Sequence, residues 1–246
     1  MKVLSHEEMT LKDQYYFGSL LKEVDIFAFP RTGSHFFAYC FSGLFDSVSL
    51  LPQDFRTLPE AISRQNELNV EVLYALSLRE PGVPFQPVWL NSLVGGPHGM
   101  PVPCEHPVLV LIRDPIATAF SAWRSRHRLG YTLETARDVN VHLDKYESFY
   151  DAAMRLREQG PESVLMVQYE LLTASFHMLE RVVDFVGLRP KLAPRFVHWL
   201  TRFENFVGEG KRTFYCEGDN QAWRRDEQWC ALLRQAGMRD FARFGY

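Results

Sequence analysis

Short, wholly apolar runs alternate along this chain with stretches in which apolar residues recur every three to four positions. Ile26-Phe27-Ala28-Phe29, Val88-Trp89-Leu90, Val108-Leu109-Val110-Leu111-Ile112 and Val164-Leu165-Met166-Val167 have the length of strands covered on both faces. Between them, Phe36, Phe37, Tyr39, Cys40, Phe41 and Leu44 trace one helical stripe. Val141, Leu143, Tyr146, Phe149, Tyr150, Ala153 and Leu156 trace a second within residues 138–159, ended by Gly160-Pro161. Leu172, Phe176, Leu179, Val182, Val183 and Val186 form a third, closed by Gly187. A further helix starts at Asp114-Pro115, a cap followed by a first-turn proline, and runs past Trp123. Other helices are expected at 194–204 and 221–236. The stretch 46–86 is broken by prolines, with one helix expected around Leu68, Val72, Leu73 and Leu76. Residues 1–23 read as a lead-in packed by Tyr15, Tyr16, Leu20 and Leu21.

Strands alternating with amphipathic helices predict an α/β fold: a central parallel sheet flanked by helices in three layers. A chain of 246 residues fits one domain spanning 1–246. The net charge of −3 gives no general attraction to nucleic acid or anionic membrane, so cations near an anion must act locally. Cys40, Cys104, Cys216 and Cys230 form neither a C-x-x-C pair nor a zinc pattern and read as free thiols. The first ten residues lack a signal-peptide apolar region, and no run reaches membrane-spanning length. The expectation is a cytoplasmic protein.

Ligands in such sheets lie beyond the carboxyl ends of the strands. Arg31, Arg113 and Tyr169 each follow the end of an apolar run. The loop Phe29-Pro30-Arg31-Thr32-Gly33-Ser34-His35-Phe36 joins a strand to a helix N-terminus, where unpaired N–H groups converge. Arg31, Thr32, Ser34 and His35 add a cation and short donors, so the loop is expected to bind a phosphate or sulfate. As an ordinary turn it would need Thr32 or Ser34 only as a cap. A triphosphate loop G-x-x-x-x-G-K-[ST] would need Gly, Lys and a hydroxyl where Ala28, Ser34 and His35 stand. The cradle is kept and the magnesium ligand is missing, so no metal is expected.

Phe29-Pro30-Arg31-Thr32-Gly33-Ser34 resembles the 5′-phosphosulfate loop of the PAPS-dependent sulfotransferases. Arg113-Asp114-Pro115 with Ser121 resembles their 3′-phosphate motif, and Tyr169-Glu170 with Asp184-Phe185-Val186-Gly187-Leu188 resembles their Tyr-Glu-Asp-Leu…Phe-Leu-Gly segment. The three occur in family order from about Val24 to Leu188. The resemblance implies a P-loop-like fold and transfer of a sulfuryl group from 3′-phosphoadenosine 5′-phosphosulfate (PAPS) to an acceptor hydroxyl of a glycan, lipid or small molecule, leaving PAP. It assigns the 5′-phosphosulfate to Arg31, Thr32, Gly33, Ser34, His35 and Phe36. It assigns the 3′-phosphate to Arg113 and Ser121, the adenine to Tyr169, and a closing loop to Lys211 and Arg212. Arg31 would stabilise the leaving group. The family's Lys-Thr-His segment, usual source of the general base, is not visible; Trp89-Leu90-Asn91 stand near its place. His98 is the choice for that base, with Glu60, Glu67 and Glu71 as alternatives. The rival readings are a P-loop nucleotide or small-molecule kinase and a non-catalytic module binding a nucleotide or anionic glycan.

Overall fold

Alternation along buried strands divides the core in two. In the computed structural model, which describes residues 22–51, 54–57, 70–90, 105–124, 133–202, 205, 221–237 and 239–246, the strands are β1 (Lys22–Ala28), β2 (Asp46–Leu51), β3 (Asp54–Thr57), β4 (Pro87–Leu90), β5 (Val108–Ile112) and β6 (Val164–Gln168). They form one sheet in the order β3-β2-β4-β1-β5-β6. Every pairing is parallel except the β2–β3 hairpin at one edge. Val24, Ile26, Ala28, Leu109, Leu111, Leu165 and Val167 face one hydrophobic cluster. Phe27, Val108, Val110, Ile112 and Val164 face the other. Successive strand residues point to opposite faces, so a run apolar at every position must be covered on both. The expected three-layer α/β fold follows directly.

The helices that cover it are α1 (Ser34–Leu44), α2 (Val70–Ser77), α3 (Pro115–Arg124), α4 (Ala136–Gln159), α5 (Tyr169–Ala174), α6 (His177–Val186), α7 (Pro194–Leu200) and α8 (Glu227–Ala236). Short 3₁₀ turns occupy Ala222–Arg225 and Ala242–Phe244. α1, α6 and α7 pack on the first face, α3, α4 and α8 on the second. Gly43 sits where α1 crosses its neighbours: a Cβ there would lie 2.8 Å from Leu76 of α2 and 2.9 Å from Val197 of α7.

The chain leaves β1 through α1 toward β2 on one side and leaves β5 through α3 and α4 toward β6 on the other. Right-handed crossovers running in opposite directions put their helices on opposite faces. A crevice therefore opens between the carboxyl ends of β1 and β5, the switch point at which doubly wound sheets take ligands.

Several details differ from the sequence reading. The β2–β3 hairpin lies in the stretch 46–86 that reads as irregular; its pairing runs from Val48 opposite Thr57 to Leu51 opposite Asp54. One expected helix is two, because Ser175 is extended and its hydroxyl accepts from the His177 N–H, which ends α5 and starts α6. α7 stops at Leu200, short of the expected 204. Val141 is 44% exposed, and His142 takes its place on the buried stripe of α4. α4 itself starts earlier than the apolar pattern suggests, on a capping box between Thr135 and Asp138. The lead-in residues Tyr15, Tyr16, Leu20 and Leu21 lie outside the described residues. So do Cys104 and Cys216. Cys40 and Cys230 are free thiols. Cys40 is buried against the Thr201 hydroxyl, and burial pushes its pKa up to about 12. Among the described residues, no helix is long and apolar enough to cross a membrane.

His142 packs edge-on against Phe29, with ring centroids 5.2 Å apart. Burial, aided by the Lys145 charge, lowers its pKa from 6.5 to about 4. Above pH 6.5 it is neutral folded or unfolded. Between 6.5 and 4 the unfolded chain binds a proton that the native state refuses, so stability falls as the pH falls, by roughly 3 kcal/mol across the window. Urea midpoints at pH 7 and 4.5 should therefore lie closer together in His142→Leu than in the parent; equal spacing would remove His142 as a source of the slope.

Candidate functional site

The loop after β1 gets its shape from two residues with positive φ, Arg31 at 74° and Gly33 at 91°. Positive φ at a non-glycine residue is uncommon and costs energy. Here the turn is held from inside. The Thr32 N–H and hydroxyl both donate to the Phe29 carbonyl, at 3.2 and 2.7 Å, and Thr32 is only 1% exposed. The Thr32 side chain thus braces the turn and faces the core, not the space outside the loop. Gly33 caps α1 without any side-chain bond, so neither Thr32 nor Ser34 is the helix cap that an ordinary turn would use. The first main-chain bond of α1 runs from Phe37 N–H to the Gly33 carbonyl at 2.9 Å. The N–H groups of Ser34, His35 and Phe36 therefore have no acceptor within their own helix and point out of its positive end.

β5 is the parallel neighbour of β1, with Ala28 opposite Leu111. Arg113 leaves β5 beside the loop, and its guanidinium donates to the Arg31 carbonyl at 3.1 Å. The Arg31 Nε in turn donates to the Ser121 hydroxyl on α3 at 3.1 Å. Asp114 caps α3 by accepting the Ala117 N–H at 2.8 Å. Tyr169, the first residue after β6, lies under the Arg113 guanidinium, 4.5 Å from ring centre to Cζ, and meets Phe36 edge-on at 6.0 Å. The same ring closes over Gly33: a Cβ there would stand 2.3 Å from Tyr169 Cδ2.

The structure thus brings Arg31, Gly33, Phe36, Arg113, Ser121 and Tyr169 into one connected group at the β1–β5 crevice. Ser34 starts α1 at its rim, and His35 follows in the same turn. The first layer around the group is equally ordered. Tyr146 donates to the Arg113 carbonyl at 2.6 Å, and Tyr150 donates to the Leu111 carbonyl. Burial raises the pKa of both phenols, which keeps them protonated as donors. Glu170 accepts from the Asp114 N–H at 3.0 Å and from the Tyr246 hydroxyl at 2.7 Å. By sequence Tyr146 is a helical-stripe residue, Glu170 a motif residue and Tyr246 neither; their partners here lie 33, 56 and 76 positions away. No local signal could have paired them.

His98, Glu60, Glu67, Lys211 and Arg212 lie outside the described residues. Glu71 is the second residue of α2. His106 pairs with Glu23 at 3.0 Å near the amino ends of β5 and β1, at the sheet edge opposite the crevice. Among the described residues, no three His, Cys, Asp or Glu side chains are close enough to hold a metal ion.

The fold has counterparts among solved proteins. The sulfotransferase domain of the Synechococcus PCC 7002 olefin synthase matches with a TM-score of 0.51 at 14% identity, over 89% of this chain and 95% of that one. The sulfotransferase domain from the curacin biosynthetic pathway aligns at 0.48 and 14%, over 89% and 99%. Mouse sulfotransferase SULT7A1, complexed with PAP, aligns at 0.47 and 16%, over 96% and 84%. No protein-family model and no curated protein sequence matches the chain. The chain has the sulfotransferase fold.

Gly33→Ala would set a methyl into the Tyr169 ring and force a left-handed φ on a Cβ-bearing residue. It should destabilise the protein by about 1–3 kcal/mol. An unchanged denaturation midpoint would mean that the loop and ring do not meet this closely.

Proposed function

We propose that this protein is a sulfotransferase that moves a sulfuryl group from 3′-phosphoadenosine 5′-phosphosulfate to an acceptor hydroxyl. The observation that carries the reading is the linkage of Arg31, Ser121, Arg113 and Tyr169 into one group beside a helix N-terminus. Two arginines linked through the Arg31 main chain at the carboxyl edge of a sheet favour a ligand with more than one anionic group. Tyr169, one face of which the Arg113 guanidinium covers, is the proposed contact for the adenine. The loop has no lysine at Ser34, the place of the triphosphate-loop lysine; Arg31 instead holds a fixed charge, and arginine binds phosphate or sulfate oxygens in pairs.

In this reading the acceptor oxygen attacks sulfur in line as the bond from sulfur to the bridging 5′-phosphate oxygen breaks. The acceptor's proton passes to a general base, and the products are a sulfate ester and PAP. Negative charge grows on the departing phosphate oxygen. The Arg31 guanidinium and the first-turn N–H groups of α1 would stabilise it. Arg113 and Ser121 would hold the 3′-phosphate and so fix the distance between the nucleotide's two ends. Ser34 and His35 would add their main-chain N–H groups, Gly33 would admit the ligand to the backbone, and Phe36 would back the Tyr169 ring. His98 is the proposed base, and Lys211 with Arg212 the proposed cover over the 3′-phosphate. The acceptor is an alcohol of a carbohydrate, lipid or small metabolite, and the site of action is the cytoplasm.

Calorimetric titration with PAP and with ATP, each with and without Mg²⁺, tests the donor. PAP should bind without the metal, and ATP far more weakly in either condition. Magnesium-dependent ATP binding with no PAP binding would favour a kinase. PAP binding without PAP release from PAPS, across a panel of alcohols, would favour a non-catalytic module.

Arg31→Ala should slow PAP release from PAPS by about 100-fold, the loss expected for a group stabilising developing charge. Normal turnover in that variant would exclude Arg31 from the chemistry.

A further inference from the structure

The peptide unit between Arg113 and Asp114 is held at both of its polar atoms. Its carbonyl accepts from the Tyr146 hydroxyl at 2.6 Å, and its N–H donates to Glu170 Oε1 at 3.0 Å. The second oxygen of Glu170 accepts from the Tyr246 hydroxyl at 2.7 Å. Burial raises the Tyr246 pKa far above its usual value, so the phenol remains a donor. Tyr146 is further fixed by the rings around it: Phe241 and Phe244 meet it edge-on at 6.2 and 6.0 Å. The segment bearing Tyr246 is tied down by Arg239 on Asp144 and by Arg243 on Glu147, at 2.7 and 3.1 Å.

Tyr169 and Glu170 are consecutive residues at the start of α5, yet they take Arg113 by different parts. Tyr169 supports its guanidinium, and Glu170 holds the main chain immediately after it. A long arginine aims well only if both its root and its head are constrained. We infer that Glu170, locked by Tyr246, is a positioning residue that fixes the Arg113 main chain so that its guanidinium meets the 3′-phosphate of the nucleotide. This rests on the donor reading given above. It assigns the carboxylate a role without ligand contact: both its oxygens are used on Asp114 and Tyr246.

The test compares PAP with 5′-AMP, which lacks only the 3′-phosphate, by calorimetry on the full chain. Glu170→Ala should weaken PAP binding about tenfold, the loss of one charge-assisted hydrogen bond, and leave AMP within about twofold. Glu170→Gln keeps an acceptor for the Asp114 N–H and should restore most of the PAP affinity. Tyr246→Phe removes a single hydroxyl and should weaken PAP about threefold with AMP unaffected. It carries the test should the alanine variant fail to fold. Equal losses for PAP and AMP, or no loss in any variant, would overturn the positioning role while leaving the donor reading in place. Parent protein that binds no PAP would overturn both.

Discussion

Of the hydrogen bonds that join the two halves of the site, the one from the Arg113 guanidinium to the Arg31 carbonyl fixes the main chain. It can form only because β1 and β5 are parallel neighbours that end at the same edge and send their helices to opposite faces. The loop after β1 would otherwise be an ordinary turn, and Arg113 an ordinary strand-end arginine. Brought together, they turn a strained left-handed residue into a fixed point. The Arg31 main chain is held from β5 while its side chain reaches Ser121 on α3.

The strain at Arg31 and the packing at Gly33 serve the same end. A positive φ at Arg31 needs support from surrounding structure. Thr32 supplies it from within the turn, Arg113 from the next strand, and the Tyr169 ring by closing over Gly33. All three supports come from the protein's own groups. Buried phenols extend the same logic outward. Tyr146, Tyr150 and Tyr246 are low-entropy donors with two rotatable bonds each, and burial keeps them protonated.

Much of the fold was legible because β5 and β6 are apolar at nearly every position, and because Gly160 and Gly187 end their helices where the pattern stops. The β2–β3 hairpin was not. Its stabilising partner is β4, some forty residues away, and a short strand flanked by proline carries no signal of that pairing. Val141 and His142 exchanged roles for a different reason. Apolarity suggested Val141 as the buried residue, but the angular position on α4 puts His142 toward Phe29. The phase of the helix outweighed hydrophobicity there.

The order of residues alone determined that strands and helices alternate, that a Pro/Gly loop leading into a helix follows the first described strand, and that Arg31, Arg113 and Tyr169 each stand just past a strand end. Those are local matters, set by periodicity, turn chemistry and caps. Tertiary structure alone decided that Thr32 turns inward, that Tyr169 lies over Gly33 and under Arg113, and that Glu170 and Tyr246 grip the main chain beside Asp114. Each of these depends on which strands become neighbours. That choice rests on burying two faces of one sheet at once, a global condition that no short window of residues contains.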